Sequence, residues 1–205
     1  MKPTITTFAA LVTLLQAGGA ALGQNAAGDW PTYNRDLAGT RYSPLSAISR
    51  DNVRDLREVW SYSLGRNSTT GDLGGGSQFT PLVIDGVMYL AGADRIVALQ
   101  ADTGREIWRF QVTQGPPSRR GLAYWPGDGD LAPRLFVTSG RLLIGIDTGN
   151  GNTFSRLMPV GYAGAPAVFE NLLIVGSNTP PGSVRAFDAR TGDEIWSFAS
   201  TPAPG

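Results

Sequence analysis

An eleven-residue stretch occurs twice in this chain, and that recurrence limits the fold more than any other feature. Ala98-Leu99-Gln100-Ala101-Asp102-Thr103-Gly104-Arg105-Glu106-Ile107-Trp108 returns as Ala186-Phe187-Asp188-Ala189-Arg190-Thr191-Gly192-Asp193-Glu194-Ile195-Trp196, with the tryptophans 88 residues apart. A degenerate middle copy, Gly145-Ile146-Asp147-Thr148-Gly149-Asn150-Gly151, sets the turn glycines at 104, 151 and 192. A period of about 44 residues marks an architecture in which one supersecondary unit is laid against the next, because a single unit cannot cover its own apolar faces.

The unit is made of strands. Short runs rich in Val, Ile, Leu, Tyr and Phe, separated by Gly, Pro, Asp and Asn, fall at 80–84, 87–90, 96–99, 107–112, 135–138, 142–146, 167–169, 172–175, 184–188 and 195–199. This is an all-β pattern with no room for βαβ crossovers. Four short strands per period, with a turn Gly and a Trp at fixed offsets, describe β-propeller blades; a sandwich gives such a period no cause. In each blade Thr-Gly makes the tight turn between the two outer strands. Trp108, Trp196, Gly104 and Gly192 are expected to be structural, the indoles packing onto the neighbouring blade.

The chain is expected to hold three to four blades, fewer than most closed propellers need. Residues 29–64 match the repeat poorly and carry one short helical candidate at 49–56 with Ser49 as N-cap. Lys2, the apolar run 8–15 and the small-residue stretch ending at Gly23 read as a secretory signal peptide over 1–23. Residues 24–205 then form an incomplete, exported propeller domain, with 201–205 resembling a linker to a further blade.

Composition removes whole classes of chemistry. The chain has no Cys and no His. Cysteine-ligated metals, imidazole ligands and His-dependent nucleophiles are therefore excluded, leaving carboxylates, amides, Arg, hydroxyls, aromatics or a borrowed cofactor. Seventeen basic and seventeen acidic residues cancel, giving no electrostatic footprint for nucleic acid. After the leader no apolar run reaches the roughly 18 residues of a transmembrane helix.

Most ligand-like motifs have a plainer explanation. Gly74-Gly75-Gly76 lacks the Lys-Ser/Thr of a phosphate loop. Residues 147–152 lack the alternating acids and terminal Glu of a calcium loop and coincide with the repeat's turn. Asp128-Gly129-Asp130 reads as a solvated loop. Arg119-Arg120, followed by Gly121-Leu122-Ala123-Tyr124-Trp125, is different: guanidinium beside aromatics can clamp a planar anion, although a surface loop with one salt bridge is the plainer reading.

Several stretches together resemble a known family. Asp29-Trp30-Pro31-Thr32-Tyr33-Asn34-Arg35-Asp36 with Thr40-Arg41-Tyr42-Ser43-Pro44-Leu45, then Thr80-Pro81-Leu82-Val83, the segment 119–128 and the Trp repeats are similar to the quinoprotein dehydrogenases that depend on pyrroloquinoline quinone (PQQ). The resemblance spans 29–205 and leans to the glucose-dehydrogenase-like branch through Pro117-Ser118-Arg119-Arg120-Gly121 and the run 174–179. It implies the first third or so of an eight-bladed propeller and periplasmic oxidation of an alcohol or sugar hydroxyl, with electrons passed to a cytochrome or ubiquinone. It also implies PQQ near the propeller axis and a calcium ion polarising its reactive carbonyl.

Matched position by position, the resemblance makes Arg120 and Gln78 cofactor-binding residues, Gln78 standing where many members carry Glu. The chain departs from the alcohol-oxidising branch at three places. Gln114-Gly115 stands where adjacent cysteines occur, Ala163 where a hydroxyl is expected, and Pro180-Pro181 where a calcium-ligating Glu would align. The catalytic Asp and most calcium ligands are expected after Gly205. The rival from another class is a non-enzymatic propeller scaffold for protein assembly at the outer membrane; the absence of Cys and the presence of the Arg120 loop count against it.

Overall fold

A computed structural model of the chain describes residues 27–65, 78–162, 164–177, 179–180 and 182–201. The leader reading, the triple glycine, Ala163, Pro181 and the last four residues lie outside that set.

Twelve strands form three four-stranded sheets among the described residues. The first contains β1 (Leu82–Ile84), β2 (Val87–Ala91), β3 (Arg95–Gln100) and β4 (Glu106–Gln111). The second contains β5 (Ala123–Trp125), β6 (Arg134–Ser139), β7 (Leu142–Asp147) and β8 (Thr153–Leu157). The third contains β9 (Ala167–Phe169), β10 (Leu172–Gly176), β11 (Ser183–Asp188) and β12 (Glu194–Ala199). Each sheet runs in sequence order with antiparallel neighbours, so each is an up-and-down blade and the all-β propeller reading holds.

Burial explains why these segments read as unbroken apolar runs. Leu135 and Val137 of β6 and Ile144 and Ile146 of β7 pack into a core shared with the first sheet. Their neighbours Phe136 and Leu143 point the other way, into a core with Leu173, Val175 and Phe187 of the third sheet. The central sheet is thus covered on both faces, and side-chain alternation becomes a division between two cores rather than between core and water. On the third sheet the outer strand is exposed throughout, and Ile195 (54%), Trp196 (39%) and Phe198 (65%) keep substantial solvent contact.

The repeated turn has one hydrogen-bond scheme in all three sheets. The N–H groups of Gly104, Gly151 and Gly192 donate to the carbonyls of Gln100, Asp147 and Asp188, at φ of 68°, 73° and 77°. Left-handed backbone at this point is what glycine supplies without strain. After the turn the sheets diverge. Ala98 pairs with Trp108 and Leu99 with Glu106, so Ile107 is an extra, bulged residue, and Ile195 occupies the same place in the third sheet. The second sheet has no bulge: Gly145 pairs directly with Phe154, which takes the tryptophan's position.

One expectation from sequence is corrected. The helix at 49–56 reduces to one 3-10 turn, Val53–Asp55, preceded by Asn52 rather than capped by Ser49. Asn52 accepts from the Ser49 N–H at 2.7 Å and donates to the Ala47 carbonyl at 2.8 Å, offering the backbone a turn in place of a helix. The poorly matching N-terminal stretch also contains a further counterpart of the repeat tryptophans. Trp60 donates its indole N–H to Ala101 in the first sheet's turn at 3.1 Å, and its ring lies over Gly104, where an added Cβ would fall 2.5 Å from it.

Candidate functional site

The innermost strands β1, β5 and β9 are each approached from the same side of the molecule, and the segments leading into them converge. Residues 78–80, Arg120 with 122–124, and 164–168 line one cleft of about 1170 Å³, together with residues of the N-terminal segment from Pro31 to Leu37. Strand order fixes this arrangement: β1, β5 and β9 are the first strands of their blades, so their leading ends sit at equivalent places.

Gln78 and Arg120, the two residues expected to touch a cofactor, both line this cleft and both are exposed. Among the described residues neither side chain has a hydrogen-bond or ion-pair partner. Arg120 is presented by a tight turn in which its own N–H donates to Ser118 Oγ at 3.1 Å, and Ser118 is buried beside β6, donating its N–H to the Thr138 carbonyl at 2.8 Å. The cation is therefore mounted on a fixed base with its head in the cleft. An unpaired guanidinium beside an amide and the apolar wall of Leu122, Ala123 and Tyr124 is a setting for a planar, carboxylate-bearing ligand.

Tyr124 spans the cleft wall and the first core. Burial raises its hydroxyl pKa, and the carboxylates of Asp85 and Asp29 push it the same way. Behind it Tyr89 is buried and its pKa is pushed up to about 12, first by desolvation and then by Tyr124. Both phenols therefore stay neutral through the physiological range.

The blades are joined by side chains that reach across the sheet boundaries. The Trp108 indole donates to Thr148, and Trp125, fully buried, donates to Asn171 Oδ1 at 3.0 Å. Arg134 lies over the rings of Trp125 and Phe154 and donates to the carbonyls of Ala189 and Arg190. Asp128, read from sequence as a solvated loop residue, forms an ion pair with Arg190 at 2.7 Å. Among the described residues no group of three or more His, Cys, Asp or Glu side chains comes together to hold a metal, and none of their helices is long and apolar enough to cross a membrane. Sequence reasoning missed Trp60, the strand of Trp125 and the cleft-lining role of the N-terminal segment.

Residues 30–205 match the glucose/ethanol/alcohol dehydrogenase β-propeller family of PQQ proteins. The quinohemoprotein alcohol dehydrogenase of Comamonas testosteroni is 35% identical over 197 residues, which are 85% of this chain and 26% of that protein. Quinoprotein glucose dehydrogenase A of Acinetobacter calcoaceticus is 30% identical, over 83% of this chain and 28% of its own length. Among solved structures, the alcohol dehydrogenase ADHIIG of Pseudomonas putida superposes with a TM-score of 0.73 at 32% identity, covering 86% of this chain and 27% of the other. The chain thus spans about a quarter of the length of the relatives it matches.

Proposed function

The chain belongs to the PQQ-dependent glucose/ethanol/alcohol dehydrogenase β-propeller family, and from that premise we propose that the whole protein oxidises an alcohol or sugar hydroxyl in the periplasm and passes the electrons to a cytochrome or quinone. Within it, these residues supply one side of the cofactor site. The observation that carries the reading is the convergence of the approaches to β1, β5 and β9 on a cleft lined by Arg120 and Gln78, whose side chains have no hydrogen-bond or ion-pair partner among the described residues.

The residues suit the cofactor. PQQ is a planar tricarboxylate that, when bound, would supply an acceptor for the hydride equivalent, that is, for the two electrons of the alcohol oxidation. Arg120 offers a carboxylate a charge-assisted, two-pronged contact, and Gln78 offers a neutral amide that donates or accepts without adding charge. Leu122, Ala123 and Tyr124 supply apolar surface that excludes water from one edge of the ring. Trp108, Gly104 and Gly192 serve blade packing rather than the site, and we assign Trp196, 39% exposed among the described residues, the same role against a further blade of the whole protein.

The metal is a separate matter. With no cluster of acidic ligands among the described residues and Pro180 near the position of a calcium-ligating Glu, this chain's own residues do not fit a complete calcium site. We assign the ligands and the catalytic Asp base to the part of the whole protein that these residues do not contain.

Titration of the metal-depleted full-length protein with PQQ, followed by quenching of tryptophan emission and then by dye reduction with alcohols and sugars after calcium is restored, tests the reading. Saturable quenching and cofactor-dependent dye reduction are expected. A full-length protein that binds no PQQ with or without calcium overturns the proposal.

A further inference from the structure

The N-terminal segment reaches the cleft along a defined track. Trp30 makes one antiparallel rung with β1: its N–H donates to the Val83 carbonyl at 2.7 Å, and the Val83 N–H returns to the Trp30 carbonyl at 3.1 Å. Because the rung is antiparallel, the chain after Trp30 runs toward Thr80 and Gln78, the cleft end of β1, while Asp29 falls at the opposite end, beside the β1–β2 turn. That turn has two left-handed residues, Asp85 (φ 50°) and Gly86 (φ 74°), as a two-residue hairpin loop requires. The ladder does not use the Asp85 N–H, and Asp29 Oδ1 accepts it at 3.1 Å, the residue as a whole being only 6% exposed.

Beyond the rung the segment is braced on itself. The Arg41 N–H bonds the Asn34 carbonyl at 3.2 Å, Arg41 Nε bonds Asn34 Oδ1 at 2.7 Å, and the Asp36 carboxylate accepts the Thr40 N–H and hydroxyl. The loop is thus a preformed unit whose hydrogen bonds to the first sheet, among the described residues, are the Trp30 rung and the Asp29 contact. Pro31, Thr32 and Tyr33 directly after the rung line the same cleft as Arg120.

We propose that this segment is a fixed wall of the cofactor cleft and that Asp29 is the positioning residue that holds it in place, a role that rests on the cleft being the PQQ site. Asp29 touches no cofactor. It locks the far end of a short lever whose near end faces the ligand.

Three full-length variants test this. Without PQQ, Asp29→Ala should raise amide hydrogen exchange over residues 31–37 and speed tryptic cleavage after Arg35. The same variant should weaken PQQ affinity, read by tryptophan quenching, about tenfold through loss of a buried charge-assisted contact. Its KM for substrate at saturating PQQ should not change. Asp29→Asn keeps an acceptor oxygen and should stay near wild type in exchange and within about threefold in affinity. Pro31→Gly leaves the clamp intact and loosens the wall from the cleft side, so it should weaken PQQ binding even where Asp29→Ala does not accumulate.

Unchanged exchange in Asp29→Ala overturns the clamp. A loosened segment with unchanged PQQ affinity, in Asp29→Ala or Pro31→Gly, overturns the wall. Wild-type protein that binds no PQQ overturns the cofactor reading and the wall with it, while the exchange experiment still decides the clamp.

Discussion

The indole N–H of Trp108, on the last strand of the first blade, donates to the carbonyl of Thr148 in the outer turn of the second at 2.9 Å. Its ring covers the turn glycine, Gly151, where an added Cβ would lie 3.2 Å from the indole. Trp60 stands in the same relation to Ala101 and Gly104 one blade earlier. Each blade is fastened to the next through a turn that must be glycine, because a side chain there would meet the ring and the backbone is left-handed.

Trp108→Phe keeps much of the ring contact and loses the hydrogen bond, so it should destabilise the full-length protein by about 1 kcal/mol. Trp108→Ala should cost about 2–4 kcal/mol, because the half-buried ring also packs against Tyr89 at 6.0 Å between centroids. Urea unfolding midpoints measure both, and equal losses in the two variants would show that the ring carries nothing.

Arg120→Ala should weaken PQQ binding by about 1.5–3 kcal/mol, the range for hydrogen bonds to charged groups. Arg120→Lys should recover only part of this, since an ammonium cannot make the two-pronged contact. Reconstitution titrations of the full-length protein check both, and unchanged affinity in Arg120→Ala removes the residue from the site.

Asn171→Ala leaves the indole N–H of fully buried Trp125 without its partner and should cost about 1–3 kcal/mol, whereas Asn171→Asp, which keeps an acceptor, should cost less. Thermal unfolding compares the two. Trp125 of the second blade and Asn171 of the third thus meet across the same boundary as the Arg190–Asp128 ion pair.

Tyr89 makes stability depend on alkaline pH. Its folded pKa, about 12, lies above the ordinary 10.0, so the phenol's contribution is whole below pH 10 and is lost as pH rises from there through 12. Two units correspond to about 3 kcal/mol. Tyr89→Phe should unfold less steeply with pH than wild type over this window, and parallel profiles would assign the alkaline loss to other groups.

Much of the fold was legible because the repeat and the doubly buried strands leave strong marks. The runs around Leu135 to Ile146 are apolar on both faces, and no loop reads that way. The strands that escaped notice have physical reasons for it. β5 is three residues between Gly121 and Pro126, and its Tyr124-Trp125 pair looked like part of a ligand loop when Trp125 is in fact core. β8, Thr-Phe-Ser-Arg-Leu, is mostly exposed and carries Phe where the repeat leads one to expect Trp. The cleft was legible only as Arg120 beside its aromatics and, through the resemblance, as Gln78. That 31–37 forms part of it depends on a single backbone rung at Trp30, and pairing between segments some fifty residues apart leaves no local trace in sequence.

The missing bulge of the second blade also limits how the repeat can change by mutation. Trp at the bulged position comes with an extra residue, Ile107 or Ile195, whereas Phe154 comes without one and lies so close to Gly145 that an added Cβ would stand 2.3 Å from its ring. Substitution of Phe154 by tryptophan alone, itself two base changes away, would put a larger ring where there is already no room. A codon insertion alone would add length without the indole that covers the next glycine. The two versions of the blade are therefore separated by an insertion and a substitution that must arrive together, a step that single-nucleotide change does not make gradually.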